Sequence, residues 1–192
     1  HSLPSVLMTS TGVMAATALA GDTREQVLER VATSGFATLY LGVPIGALAA
    51  VQVQFGAQVL MVLLGAVIAS DTAQYYGGRT FGRHLLAPTV SPKKTIEGAV
   101  CGLVASGVAL FVVGGLVMPG ASSGLHVLLG LLIAMLGIAG DLFESRLKRA
   151  SDMKDSSTLI PGHGGVLDRI DGLLLAAPVY YVVVTALSRV SL

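Results

Sequence analysis

Charge is scarce in this 192-residue chain: Asp, Glu, Lys and Arg make up 12% of it, and the formal net charge is only +1. A soluble domain carries roughly twice that charged fraction, so the composition excludes a cytosolic globule. Disorder is excluded by 53% hydrophobic residues and a mean hydropathy of +0.78, because a disordered chain needs low hydrophobicity and high net charge. Near-neutrality leaves no global footprint for nucleic acid, so any polyanion site has to be local. The single cysteine, Cys101, rules out an internal disulfide and reads as a small packing residue within an apolar stretch. The 24 glycines follow no G-X-Y period, and no long-period repeat, low-complexity tract or proline-rich linker divides the chain. The class that remains is an all-α, polytopic integral membrane protein.

What the chain has in abundance is apolar sequence in stretches long enough to cross a bilayer as helices. Six are expected, near residues 3–20, 33–51, 57–76, 98–118, 125–143 and 171–188. The first carries several Ser and Thr, and it lacks the basic segment that would precede a signal peptide. Of the 12 Lys and Arg, all but Arg189 fall in the first, third and fifth loops, while the second and fourth loops carry no charge. The positive-inside rule therefore predicts that loops one, three and five face the cytoplasm and both chain ends lie outside. An outside start at His1 leads to the expectation that an odd number of upstream helices is missing. The chain reads as one continuous membrane domain: residues 1–56 hold transmembrane helices without a motif, and 57–192 form the transmembrane region that carries the motifs, with loops 77–97 and 144–170.

Several polar residues are not explained by packing. Asp71 closes the third span, where a carboxylate is costly unless paired. It is either functional or an interfacial acid paired with Arg79. The following loop, Gly77-Gly78-Arg79-Thr80-Phe81-Gly82-Arg83-His84, and the later Ser91-Pro92-Lys93-Lys94-Thr95-Ile96-Glu97-Gly98 combine glycine backbone, hydroxyls and cations, which suit phosphate. The same cations also fit a plain positive-inside loop beside anionic lipid. Glu97 is a candidate cap for the fourth span, and Gly98-x-x-x-Gly102 has the spacing that lets helices approach closely.

The fifth loop is richer still. Asp168 and Asp171, three residues apart, share one face of the opening turn of the last helix. Asp141, at the end of the preceding span, would meet them in a helical hairpin. Hard oxygen ligands of this kind suit Mg²⁺, which takes one or two protein carboxylates together with substrate phosphates and water. Capping of a helix N-terminus is the competing account for Asp168 and Asp171. His163, between glycines, is either a general base or a contact for phosphate or solvent. A serine hydrolase is excluded, because no serine stands in a Gly-x-Ser-x-Gly elbow.

At these residues the chain closely resembles the phosphatidate cytidylyltransferase (CDP-diacylglycerol synthase) family. Its signature is Ser-x-apolar-Lys-Arg, four residues, Lys-Asp, then Pro-x-His-Gly-Gly-apolar-x-Asp-Arg-apolar-Asp. Residues 145–171 satisfy it at every fixed position, including Lys148, Arg149, Lys154, Asp155, His163, Gly164, Gly165, Asp168, Arg169 and Asp171. Segments from Asp71 to Gly82 and from Ser91 to Gly98 also look like family segments in the expected order, so the similarity covers roughly residues 57–181. Gln74 stands where a small residue is common, and Gly172 where a serine often follows the last aspartate. Family members are usually longer at the N-terminus by several helices.

The resemblance implies transfer of the cytidylyl group of CTP to phosphatidate, giving CDP-diacylglycerol and pyrophosphate for phospholipid synthesis. By the same token Asp141 and Asp168 would be the ligands of Mg²⁺, with a second cation as a further candidate. Lys93, Lys94, Lys148, Arg149 and Arg169 would bind the triphosphate and the lipid phosphate. Asp71, Lys154, Asp155 and Asp171 would complete the polar cavity, with Lys148 and Asp171 counted among the catalytic groups and Arg79, Ser91, Thr95, His163, Gly164 and Gly165 among the substrate contacts. The implied partners are CTP, phosphatidate and the bilayer, with no nucleic acid and with a homodimer as a candidate assembly. The implied location is the inner or plasma membrane of a bacterium. Two rivals remain: a CTP-dependent polyprenol kinase, which would release CDP, and a cation-binding transporter, whose site would lie near the membrane midplane.

Overall fold

The computed structural model describes residues 2–19, 24–151, 153 and 165–190. In chain order it comprises α1 (Ser2–Leu19), α2 (Arg24–Phe55), α3 (Ala57–Phe81), β1 (Leu85–Ala87), β2 (Ser91–Thr95), α4 (Ile96–Ala109), a π-helical turn (Leu110–Gly114), α5 (Gly115–Val117), α6 (Ser123–Ala150) and α7 (Leu167–Val190). Among the described residues, five helical stretches are long and apolar enough to cross a membrane: Val27–Phe55, Ala57–Phe81, Ile96–Val117, Ser123–Ala150 and Leu167–Arg189. The protein is an integral membrane protein, in which helices satisfy the backbone groups that hydrocarbon cannot. Apolar side chains such as Met61, Ile68, Leu116 and Leu128 stay exposed on the surface that lipid covers. The expected first span is helical as α1 but is not among these five.

The helices run past the apolar limits read from the sequence. Arg24 and Arg30 lie on α2 rather than in a loop, Gly77 to Phe81 continue α3, and Glu144 to Arg149 continue α6. Hydropathy marks where the hydrocarbon ends, whereas Glu, Lys, Arg and Leu are all good helix formers and keep the backbone helical beyond it.

Residues 85–95, read as loop, form a small antiparallel hairpin in which Leu85 pairs with Thr95 and Ala87 with Ser91. Thr95 ends the hairpin and caps α4, its Oγ1 accepting from the Gly98 N–H at 3.2 Å. The hydrogen-bonding cap is thus Thr95, while Glu97 stands in the first turn of α4 with its charge at the positive helix end. Glu97 accepts from the backbone N–H groups of Arg83 (3.0 Å) and His84 (3.2 Å) and contacts His84 Nδ1 at 2.6 Å, pinning the connection between α3 and β1. Gly56, at φ 88°, reverses the chain between α2 and α3 in a single residue, in a region that other side chains rarely adopt.

Glycine contacts set how closely the helices approach. A Cβ on Gly98 would lie 2.7 Å from the Gln74 carbonyl oxygen, and one on Gly102 would lie 3.0 Å from that of Ser70, so Gly98-x-x-x-Gly102 is the face that α4 lays against α3. A Cβ on Gly130 would meet the Ser106 carbonyl at 2.5 Å, and Ser106 Oγ donates to the Gly130 carbonyl at 2.8 Å, joining α4 to α6. Cys101 packs on α3, where a Cβ on Gly77 would fall 2.5 Å from its Sγ. The apolar core, built around Val51, Leu63, Leu110, Ile133, Leu174 and Tyr180, lies between α2, α3, α6 and α7. Tyr180 Oη is satisfied there by the Val59 carbonyl at 2.8 Å.

Another close approach beside the polar residues is at Gly140 on α6, where a Cβ would stand 2.5 Å from the Asp171 carbonyl oxygen. Backbone cannot yield as a flexible side chain can, so Gly140→Ala is expected to lose about 1–3 kcal/mol by forcing α6 and α7 apart. Thermal unfolding of the detergent-purified variant checks this, and an unchanged melting temperature would contradict it.

Candidate active site

The ends of α3, α6, α4 and α7 converge with the hairpin around a cavity of about 760 Å³. Its walls carry Asp71 and Arg79 from α3, Ser91, Lys93, Lys94 and Thr95 from β2, Asp141 and Lys148 from α6, and Asp168, Arg169 and Asp171 from α7. Residues far apart in sequence thus share one chamber. Arg149 faces an adjoining cavity of about 210 Å³ together with Ser91, Lys93, Ser145 and Lys148. Lys154, Asp155, His163 and Gly164 lie outside the described residues.

The acids are held individually. Asp141 is ion-paired through Oδ2 with Lys94 Nζ, and its Oδ1 accepts from Ser145 Oγ at 3.3 Å. Asp168 Oδ1 lies 2.6 Å from Lys148 Nζ, while its Oδ2 accepts from the Gly165 N–H at 2.7 Å. Asp171 Oδ1 accepts from the Gly172 N–H at 2.7 Å. Asp71 stands inside α3, well before its last turn, and accepts from Gln74 Nε2 at 3.2 Å. Arg79 turns instead to Tyr75 Oη, at 3.3 Å. Gln74 is therefore more than a departure from the family pattern, because it lines the cavity and ties Asp71 to Ser70.

Sequence reasoning assigned no role to Glu144. It is 1% exposed, and its Oε2 lies 2.6 Å from Lys148 Nζ, so that lysine joins Glu144 to Asp168. The available signal was spacing: on a continuous helix Glu144 stands one turn before Lys148 and falls on the side of Asp141. It was hidden because α6 was expected to end at residue 143.

Four carboxylates and five cations line the main cavity, so it is close to internally neutral. The N-terminal turns of α4 and α7 open onto it through Thr95, Gly98 and Asp168, and the positive ends of their dipoles favour an anion there. Among the described residues, no three His, Cys, Asp or Glu side chains form a group that could hold a metal by themselves. The donors present are hard oxygens, and they fit an ion that takes one or two protein carboxylates and draws its other ligands from phosphate and water.

Comparison with known proteins gives the same direction. The chain is 44% identical over 142 residues to the phosphatidate cytidylyltransferase of Helicobacter pylori, covering 72% of this chain and 52% of that protein. It is 45% identical over 127 residues to the phosphatidate cytidylyltransferase of Mycobacterium tuberculosis, covering 64% and 37%. It is also 42% identical over 129 residues to the uncharacterized protein YnbB of Escherichia coli, covering 67% and 43%. The chain thus spans about half the length, or less, of the curated relatives it matches. The family model described as the cytidylyltransferase family matches residues 2–187, a span that includes every wall of the cavity, and the chain belongs to that family.

Proposed function

We propose that this chain carries the catalytic centre of a phosphatidate cytidylyltransferase, with CTP and phosphatidate as substrates and CDP-diacylglycerol and pyrophosphate as products. The observation that carries the reading is the meeting of Asp141 with Asp168 and Asp171 across one cavity, with Lys94 and Lys148 in contact with the acids. In the reaction a phosphate oxygen of phosphatidate bonds to the α-phosphorus of CTP. The bond from that phosphorus to the bridging oxygen breaks, and its electron pair leaves on pyrophosphate. Nucleophile and electrophile are both anionic, so catalysis is mainly positioning and charge neutralisation.

Lys93, Lys94, Arg79 and Arg169 supply fixed positive charge to the triphosphate, and the N-terminal turn of α4 adds its dipole. Lys148 lines both cavities, which supports a role for it toward the triphosphate and the lipid phosphate. Asp141 and Asp168 would hold Mg²⁺. When bound, the ion would neutralise charge building on the phosphoryl oxygens. The exposed apolar helix faces let the acyl chains stay in the bilayer while the lipid phosphate reaches the cavity. Incubation of purified protein with phosphatidate, α-labelled CTP and Mg²⁺ tests the reading. Labelled CDP-diacylglycerol and free pyrophosphate support it, whereas release of CDP with phosphorylation of a polyprenol would replace it.

The cavity faces the cytoplasm in this reading, because the basic residues gather at its end of the bundle. With Cys101 replaced by alanine, Arg83→Cys and Ser122→Cys are expected to react with a membrane-impermeant thiol reagent from opposite faces of oriented vesicles. Labelling of both from one face would overturn the orientation.

A further inference from the structure

Two polar atoms near the cavity are buried without a partner: Tyr40 Oη on α2 and Glu144 Oε1 on α6. One is a donor and the other an acceptor. Their helices meet through aromatic packing. The Tyr40 ring stands edge-on to Phe143, the residue next to Glu144, with centroids 5.5 Å apart, and it stacks on Phe36 at 5.3 Å. A purely aromatic cluster would be served as well by phenylalanine, and burying a hydroxyl is costly unless it is hydrogen-bonded.

We propose that Tyr40 is a positioning residue for the reaction: its hydroxyl donates through one bridging water to Glu144 Oε1 and holds that carboxylate in place. The other oxygen of Glu144 lies 2.6 Å from Lys148 Nζ, and the same Nζ lies 2.6 Å from Asp168 Oδ1. Fixing Glu144 therefore fixes Lys148, and with it the orientation of an acid lining the cavity. Tyr40 belongs to the part of the chain that carries no sequence motif, yet by this route it extends the site onto α2. A bond through one water is nearly equivalent in enthalpy to a direct one, so it is able to perform the task. The inference rests on the reading of the cavity as a nucleotidyl-transfer centre.

Tyr40→Phe tests it, because it keeps the ring and its packing and removes only the donor. The expected result is a loss of about tenfold in kcat, the size of one modest hydrogen bond, with KM for CTP and for phosphatidate within about twofold of wild type. A double-mutant cycle with Glu144→Leu separates positioning from packing: Tyr40→Phe should cost nothing further in kcat once Glu144 is gone. Melting temperature supplies a readout independent of turnover, with a loss of roughly 2–4 °C for Tyr40→Phe in the wild-type background and none in Glu144→Leu. Wild-type kcat and melting temperature in Tyr40→Phe would overturn the link, and so would equal losses in both backgrounds. Wild-type protein that forms CDP-diacylglycerol upholds the functional reading whatever Tyr40→Phe does. If wild-type protein forms none, that reading falls, and the melting-temperature cycle alone decides whether Tyr40 and Glu144 are joined.

Discussion

Asp141→Asn and Asp168→Asn are each expected to lower turnover by roughly a thousandfold or more, with the double variant little worse than either single one. Asparagine keeps the size of aspartate and much of its hydrogen bonding but lacks the charge that Mg²⁺ requires. A metal contributes several kcal/mol of transition-state stabilisation, and each 1.36 kcal/mol is about tenfold in rate. Two carboxylates that serve one ion fail together, which makes the losses non-additive. Capping makes a different forecast for Asp168. Its Oδ2 accepts from the Gly165 N–H, a bond that asparagine can also accept, and asparagine caps about as well as aspartate. On that account Asp168→Asn would be close to wild type. Turnover measured against Mg²⁺ concentration in monodisperse, detergent-purified variants separates the two. A near-normal rate with unchanged Mg²⁺ dependence in either single variant would remove that residue from the metal site.

Lys148→Met is expected to damage both folding and chemistry, in contrast to Lys94→Ala, which should damage chemistry alone. Lys148 is the shared counter-charge of Glu144 and Asp168, whose side chains are 2% and 12% exposed. Removing one partner of a buried ion pair costs about 3–5 kcal/mol, because the charges left behind are neither solvated nor paired. Adding Glu144→Leu to Lys148→Met removes one stranded acid and should recover part of the lost stability without restoring turnover. The carboxylate of Asp141, by contrast, is 38% exposed and stays in contact with solvent when Lys94 is removed. Lys94→Ala should therefore keep its melting temperature and lose about 1.5–3 kcal/mol of phosphate binding, a ten- to hundredfold effect on kcat/KM. Thermal unfolding and steady-state kinetics on the three variants check the contrast. Equal melting temperatures for Lys148→Met and wild type would deny the buried pair its structural role.

The bundle was largely legible because composition and hydropathy act over whole spans, and five of the apolar stretches form helices long enough to cross a membrane. The ends of those helices were not legible. Glu144 and Lys148 lie on α6 beyond the point where hydropathy falls, so two helical residues were read as loop. Asp168 and Asp171 could be placed together because their spacing is local, and the structure sets both on the wall of the cavity. Contacts made across the bundle left no local trace. Nothing in the spacing of Lys94 says that it meets Asp141, and nothing around Tyr40 says that its ring meets Phe143. The Gly98-x-x-x-Gly102 spacing was visible, but its partner became clear only from the nearness of Ser70 and Gln74. The hairpin at residues 85–95 was missed because one short two-stranded ribbon gives too weak an alternation to stand out from a loop.

The lysine–carboxylate pairs give the cavity the character of an ion exchanger. A polyphosphate that recruits Lys94 and Lys148 strands Asp141 and Asp168, and a divalent cation that recruits those acids strands the lysines. Each visitor alone pays a penalty that both together avoid. Cation and nucleotide should therefore raise one another's affinity by the same factor, since a coupling free energy between two ligands is reciprocal. Free nucleotide without its counter-ion is then a poor competitor for the occupied cavity, however many positive side chains line the wall.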